Sequence, residues 1–201
     1  MDLGLQGKTV LVTGASKGIG KATAFSFAAE GAGHIHINSR SLESLEAVKK
    51  ELQARHNTAV TCHAIDISQR GGCEKLAEAV GEVDILVNNA GAIPRGSIDM
   101  IDEDTWRAAW DLKVFGFVNL TRIYLAKMKA RKSGVIVNDI GNAGARPTAN
   151  YIAGSAGNAS LMAFTNAIGG SSLEHGVRVL AVNPGPVATD RMVPASRPRR
   201  A

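Results

Sequence analysis

The chain is expected to fold as one α/β domain built on a doubly wound parallel sheet, and three observations predict this. Short β-branched runs alternate with helix-periodic stretches, the pattern of repeated strand–helix–strand units. The first run, Leu11-Val12-Thr13, passes directly through Gly14-Ala15-Ser16-Lys17-Gly18-Ile19-Gly20 into a helix start. At 201 residues, 45% hydrophobic and 20% charged, the chain can bury one sizeable core.

The first strand covers Thr9–Thr13. In the turn that follows, Gly14 allows a sharp exit from the strand, Gly18 lets the backbone approach a pyrophosphate, and Gly20 lets the helix pack closely on the sheet. Backbone N–H groups at the helix start then face the anion. The spacing is Gly-x-x-x-Gly-x-Gly rather than Gly-x-Gly-x-x-Gly, so an ordinary glycine-rich turn is the competing reading. The helix is expected over Ile19–Glu30. Further strands follow at His34–Ser39, Ala59–Ile65, Ile85–Asn88, Val135–Asp139 and Val177–Asn183, separated by helices at Leu42–Arg55, Gln69–Val80, Glu103–Lys129 and Tyr151–Leu173. Right-handed crossovers place helices on both faces and a ligand crevice outside the carboxyl ends of the strands.

Composition narrows the possibilities. No apolar run reaches membrane-spanning length, and Met1 to Lys8 lack the basic and long apolar regions of a secretory signal, so a cytosolic location is expected. Cys62 and Cys73 have no metal-ligand spacing and read as incidental thiols. His34 and His36 share a strand face with no acid or thiol joining them, and no metal site is expected. Of the net charge of +5, Arg197, Arg199 and Arg200 supply three, leaving +2. The domain is therefore expected over 1–193, with 194–201 a disordered Pro/Arg tail, and nucleic-acid binding has no support beyond that tail.

After the fourth strand comes Asn88-Asn89-Ala90-Gly91. Together with Thr13-Gly14-Ala15-Ser16-Lys17-Gly18-Ile19-Gly20, Asp66, Tyr151 and Asn183-Pro184-Gly185-Pro186-Val187-Ala188-Thr189, it makes the chain resemble the short-chain dehydrogenase/reductase family over nearly its whole length. The likeness is to its 3-oxoacyl-(acyl-carrier-protein)-reductase-like members. The resemblance implies a Rossmann-type domain whose nicotinamide dinucleotide is held by Gly14, Ser16, Lys17, Gly18, Ile19 and Gly20. It also implies Asp66 and Ile67 at the adenine edge, Asn88, Ala90 and Gly91 on the ribose side, and Pro184, Gly185, Val187 and Thr189 at the nicotinamide end. Taken alone, Asp66 also reads as a helix cap and Asn183-Pro184-Gly185 as a plain turn.

The end of the second strand reads Asn38-Ser39-Arg40, without the acid that bonds both ribose hydroxyls of NAD(H). Arg40 can instead clamp a 2′-phosphate, with Lys17 as a second nearby cation, so NADP(H) is expected over NAD(H).

The catalytic residues depart from the family. The resemblance implies Tyr-x-x-x-Lys, but this chain has Tyr151-Ile152-Ala153-Gly154-Ser155. A phenol near its reference pKa of about 10 stays a usable acid and is a poor base, so carbonyl reduction suffers less than alcohol oxidation. The serine the family keeps after the fifth strand is replaced within Asp139-Ile140-Gly141-Asn142-Ala143-Gly144, where the Asn142 amide is a substitute donor. The family's asparagine in the fourth helix is Lys113, whose ammonium is expected to replace the missing cation beside Tyr151. A surface lysine is the alternative.

Similar proteins continue after the Pro-Gly segment into a substrate lid, another helix and a last strand. This chain is expected to lack them, its Met192-Val193 leading into the tail. Pairing through Glu103–Lys129 and Tyr151–Leu173, the family's dimer contact, implies a homodimer or homotetramer. The expected activity is hydride transfer between NADP(H) and a small-molecule ketone, aldehyde or secondary alcohol, with Tyr151 as proton donor. A non-catalytic dinucleotide-binding protein is the alternative.

Overall fold

A computed structural model describes residues 2–189. Six strands form one sheet: β1 (Thr9–Thr13), β2 (His34–Ser39), β3 (Ala59–Ala64), β4 (Ile85–Asn88), β5 (Gly134–Asp139) and β6 (Val177–Val182). Their order is β3-β2-β1-β4-β5-β6, with every neighbouring pair parallel. The winding reverses between β1 and β4, so the crevice lies beyond Thr13 and Asn88.

Both faces of the sheet are covered, and the strands accordingly read as near-continuous apolar runs. Helices α1 (Gly18–Ala29) and α2 (Leu42–Arg55) enclose Val10, Val12, Ile35 and Ile37 on one face. On the other, α3 (Gly72–Val80) and α5 (Gly116–Ala130) enclose Leu11, Leu86 and Ile136. Helix α6 (Ile152–Ser172) packs beside α5, with Leu161 against Phe117, Val114 and Ile140. β6 is an edge strand, and its Leu180 and Val182 are 50% and 52% exposed.

The strands fall within a residue of expectation, but two helices differ. The helix expected from Gln69 begins at Gly72, because the Asp66 carboxylate accepts from Ser68 N at 3.0 Å and from Ser68 Oγ at 2.6 Å. The chain then reverses through Gly71 at φ +79°. The single helix expected over Glu103–Lys129 is three pieces: α4 (Glu103–Trp110), a π-helical segment (Asp111–Phe115) and α5. A widened turn of this kind redirects the side chains it carries and recurs at functional sites, and this one carries Lys113.

Beyond β4, Gly96 pairs with the chain ahead of α6: its N–H donates to Asn150 O at 2.9 Å, and Ile152 N–H donates to Gly96 O at 3.3 Å. Cys62 and Cys73 are free thiols whose pKa values burial raises to about 11. Among the described residues no group of His, Cys, Asp or Glu is arranged to hold a metal, and no helix is long and apolar enough to cross a membrane. The expected domain end at 193 and the tail 194–201 lie outside the described residues.

Candidate active site

The glycine turn is built against the end of β4. Thr13 Oγ1 accepts from Asn89 N and Ala90 N at 3.0 and 3.2 Å, and Asn89 Nδ2 returns bonds to Thr13 O and Gly14 O at 2.8 and 3.2 Å. Gly14, at φ +66°, has no room for a side chain: a Cβ would stand 2.8 Å from Ala90 Cα. At Gly20 it would strike the Asn89 amide and Gly14 O. Ala15 N–H donates to Asn38 O at 3.0 Å, tying the turn to the end of β2 as well.

This packing leaves an anion-binding cradle. Lys17 occupies the N-cap of α1 with no side-chain cap, and the first turn has no acid, so its N–H groups and positive dipole end are open to a phosphate. Gly18, at φ +57°, faces Thr189, whose Cγ2 would lie 3.6 Å from a Cβ on Gly18. The glycine turn and the Pro184–Thr189 segment thus close on each other across the strand ends. The uncapped N–H groups and the glycines without room for a side chain fit a dinucleotide pyrophosphate, and Ser16, Lys17 and Ile19 lie in the same turn and helix start.

At the far end, Arg40 follows β2 and is exposed. Burial pushes the Asp66 carboxyl up, but the Ser68 hydrogen bonds and the Arg40 charge outweigh it and hold it below the usual carboxylate range. Asp66 is thus both a turn residue and Arg40's electrostatic neighbour. Ile67, expected at the adenine edge, is 4% exposed and packs into the core with Cys73, so its side chain is not free to meet a ligand.

Asn88 is fully buried and acts from beneath. Its Nδ2 donates to Thr121 Oγ1 at 3.1 Å and to Asn138 Oδ1 at 2.9 Å, and Asn138 Nδ2 continues to Thr165 Oγ1 at 2.9 Å. This buried polar ladder joins β4, β5, α5 and α6 under the site floor. Ala90 and Gly91 form the lip above it, and a Cβ on Gly91 would lie 3.0 Å from Lys113 Cδ.

Lys113 therefore runs alongside Gly91. Its Nζ donates to Ile140 O at 2.6 Å and lies 5.7 Å from the Phe117 ring centroid. Burial pushes the Asp139 carboxyl up, opposed by the Lys113 charge. Asn142 opens a short 3₁₀ turn, and its N–H donates to Pro184 O at 3.0 Å, so its backbone holds the start of the Pro184–Thr189 segment. Tyr151 is half-buried at the N-cap of α6, packed with Trp106 on Ile93, Ala109 and Ala153, and its ring lies over Gly154. Trp110 Nε1 donates to Ala153 O at 2.9 Å and steadies that turn.

Sequence reasoning missed Asn158, 3% exposed in α6, whose Nδ2 donates to Gly141 O at 3.3 Å. A buried amide in an apolar helix was the available signal. A cleft of about 610 Å³ lies between Ile101, Trp106, Trp110 and Phe115 and contains none of the predicted site residues.

A family model described as short chain dehydrogenase matches residues 8–200. The chain is 36% identical to "Uncharacterized oxidoreductase YvaG" of Bacillus subtilis, covering 94% of this chain and 72% of that protein. It is 34% identical to "NADPH-dependent reductase BacG" of the same organism, over 92% and 73% of the two chains. Among solved structures, L-sorbose reductase from Gluconobacter frateurii complexed with NADPH and L-sorbose superposes with a TM-score of 0.90 at 32% identity, covering 95% of this chain and 74% of that one. With its parallel sheet and uncapped glycine turn, the chain belongs to the short-chain dehydrogenases, a family of NAD(P)-dependent oxidoreductases.

Proposed function

We propose that this protein is an NADP(H)-dependent reductase of a small-molecule carbonyl compound, working in reverse as a less efficient alcohol dehydrogenase, with Tyr151 as the proton donor. The observation that carries this reading is the pair of close approaches beyond the strand ends, Gly18 to Thr189 and Gly91 to Lys113, together with Tyr151 at the head of α6. When bound, the nicotinamide supplies the hydride.

The chain's residues do the rest. Gly14, Gly18 and Gly20 give the phosphates access to the N–H groups of α1, and Arg40 with Lys17 favours a 2′-phosphate. NADPH in the L-sorbose reductase complex and the NADPH dependence in BacG's name support that preference. Asn88 holds the floor, while Asn142 holds Pro184, Gly185, Val187 and Thr189 over the groove. Lys113 supplies positive charge on the ribose side, which stabilises a developing phenolate. Tyr151 donates the proton to the carbonyl oxygen as the hydride arrives. We read the protein as a cytosolic homodimer or homotetramer paired through α5 and α6.

The test is equilibrium binding of NADPH and NADH to the purified chain, followed by NADPH oxidation against a panel of ketones, aldehydes and ketoses. Tighter NADPH binding and substrate-dependent oxidation are expected. NADPH binding without oxidation of any carbonyl in the panel would instead assign a non-catalytic dinucleotide-binding role.

A further inference from the structure

Two successive carbonyl groups after β5 are each held by a side chain from a different helical element. Lys113, in the π-helical segment, donates to Ile140 O at 2.6 Å, and Asn158, in α6, donates to Gly141 O at 3.3 Å. The two peptide planes share the Gly141 Cα, and each is rigid. Glycine is the residue least able to fix their relative direction by itself, and Gly141 sits at φ +113°. A Cβ added at Gly141 would meet the Asn158 amide nitrogen at 3.1 Å, so the Asn158 side chain reaches the place where a side chain of residue 141 would begin.

Asn158 also carries a cost. Its Oδ1 is buried and accepts no hydrogen bond among the described residues. A buried acceptor without a donor lowers stability, and a leucine would fill much of the same volume without it. Packing therefore gives no reason for an amide at this position, whereas the bond to Gly141 O does.

We infer that Asn158 is a positioning residue for the Lys113 ammonium: by holding Gly141 O it anchors the peptide plane that is hinged, through the Gly141 Cα, to the one whose oxygen, Ile140 O, receives that ammonium on the ribose side of the groove. The inference rests on the proposed role of Lys113 in reduction. The Asp139 carboxyl at the end of β5 and the Phe117 ring of α5 also face Lys113, and neither is altered by changing Asn158.

The experiment uses the full chain with isotopically labelled dimethyl-lysines, the Lys113 resonance being assigned from Lys113→Arg and followed by NMR through a pH titration. In Asn158→Leu the Lys113 midpoint falls by about 0.5 pH unit or more, as an ammonium that loses an aligned acceptor should. In Asn158→Ser, which restores a donor, it falls less. Lys127, bonded to Ala77 O and Gly81 O, keeps its midpoint in both. The Leu variant melts no lower than wild type, and the alkaline limb of its kcat profile moves to lower pH with the Lys113 midpoint while KM changes little. An unchanged Lys113 titration in both variants overturns the inference, and if Asn158→Leu does not fold, the Ser variant decides alone. Absence of wild-type turnover counts against the proposed function only, because the Lys113 titration is read without substrate.

Discussion

The ring of Tyr151 lies across Gly154, in the space where a side chain at position 154 would begin. The tyrosine's position therefore depends on a glycine three residues later in the first turn of α6, and that relationship can be broken without touching the phenol. Gly154→Ala gains about 1 kcal/mol of helix propensity and loses about 1–3 kcal/mol to crowding. Its thermal stability is expected to change little and its NADPH affinity not at all. Carbonyl reduction should fall by about two orders of magnitude, the usual lower range for losing a general acid. Steady-state kinetics beside a melting curve check this; a wild-type rate would show that the ring's placement is irrelevant.

Lys113 supplies both charge and a hydrogen bond to Ile140 O. Lys113→Ala should abolish the pH-dependent reductase activity, whereas Lys113→Arg, which keeps a cation and a donor, should retain part of it. Comparing kcat against pH for the three proteins checks the expectation. Equal profiles in wild type and Lys113→Ala would return this lysine to the role of a structural tie.

Arg40 stands where the second strand delivers the chain to the adenine end, with Asp66 as its acidic neighbour. Arg40→Gln should weaken NADPH binding by about 10- to 100-fold, the worth of a charged hydrogen-bonded phosphate contact, and leave NADH binding unaltered. Titration calorimetry with both dinucleotides separates the two. An equal loss for both would mean that Arg40 shapes the loop rather than reads the phosphate.

The outer strands hold an acid-sensitive cluster. His36 Nδ1 lies 2.9 Å from His63 Nε2, His34 stacks on His36 at 4.0 Å, and His34 Nε2 pairs with Thr61 Oγ1 at 2.8 Å. Burial, then the charges of His34 and His63, pull the His36 pKa from 6.5 down to about 4. The unfolded chain takes up the proton near 6.5 while the folded one resists it, so stability is full above that pH and is lost as pH falls towards 4. At most about 3 kcal/mol is involved. Urea midpoints between pH 7.5 and about 4 should fall in wild type and much less in His36→Leu. A pH-independent wild type would contradict this.

Much of this was legible in the residues. Thr9–Thr13, His34–Ser39 and Ile85–Asn88 are β-branched runs buried on both faces, and their bounds are those read from the chain. The glycine turn could be read because each of its glycines answers a backbone need. The break at Asp111–Phe115 could not, since Trp110, Val114 and Phe117 continue the apolar period through it, and only three-dimensional packing shows the wider turn. The late start of α3 was hidden because Asp66 and Ser68 settle into a local turn that competes with helix. Asn88 reads as a site residue from its motif, yet its side chain turns inward, where its Nδ2 donates to Thr121 and Asn138. Asn158 escaped notice because an amide in an apolar helix does not name its partner; Gly141 O is brought to it only by the fold.

The central claim is that Tyr151 delivers the proton in a working reductase. Its most direct test is single-turnover oxidation of bound NADPH by a carbonyl substrate, followed by the loss of nicotinamide absorbance, in wild type and Tyr151→Phe. The account predicts oxidation by wild type and a rate at least about 100-fold lower in Tyr151→Phe, with NADPH binding unchanged. Equal rates in the two proteins would contradict it.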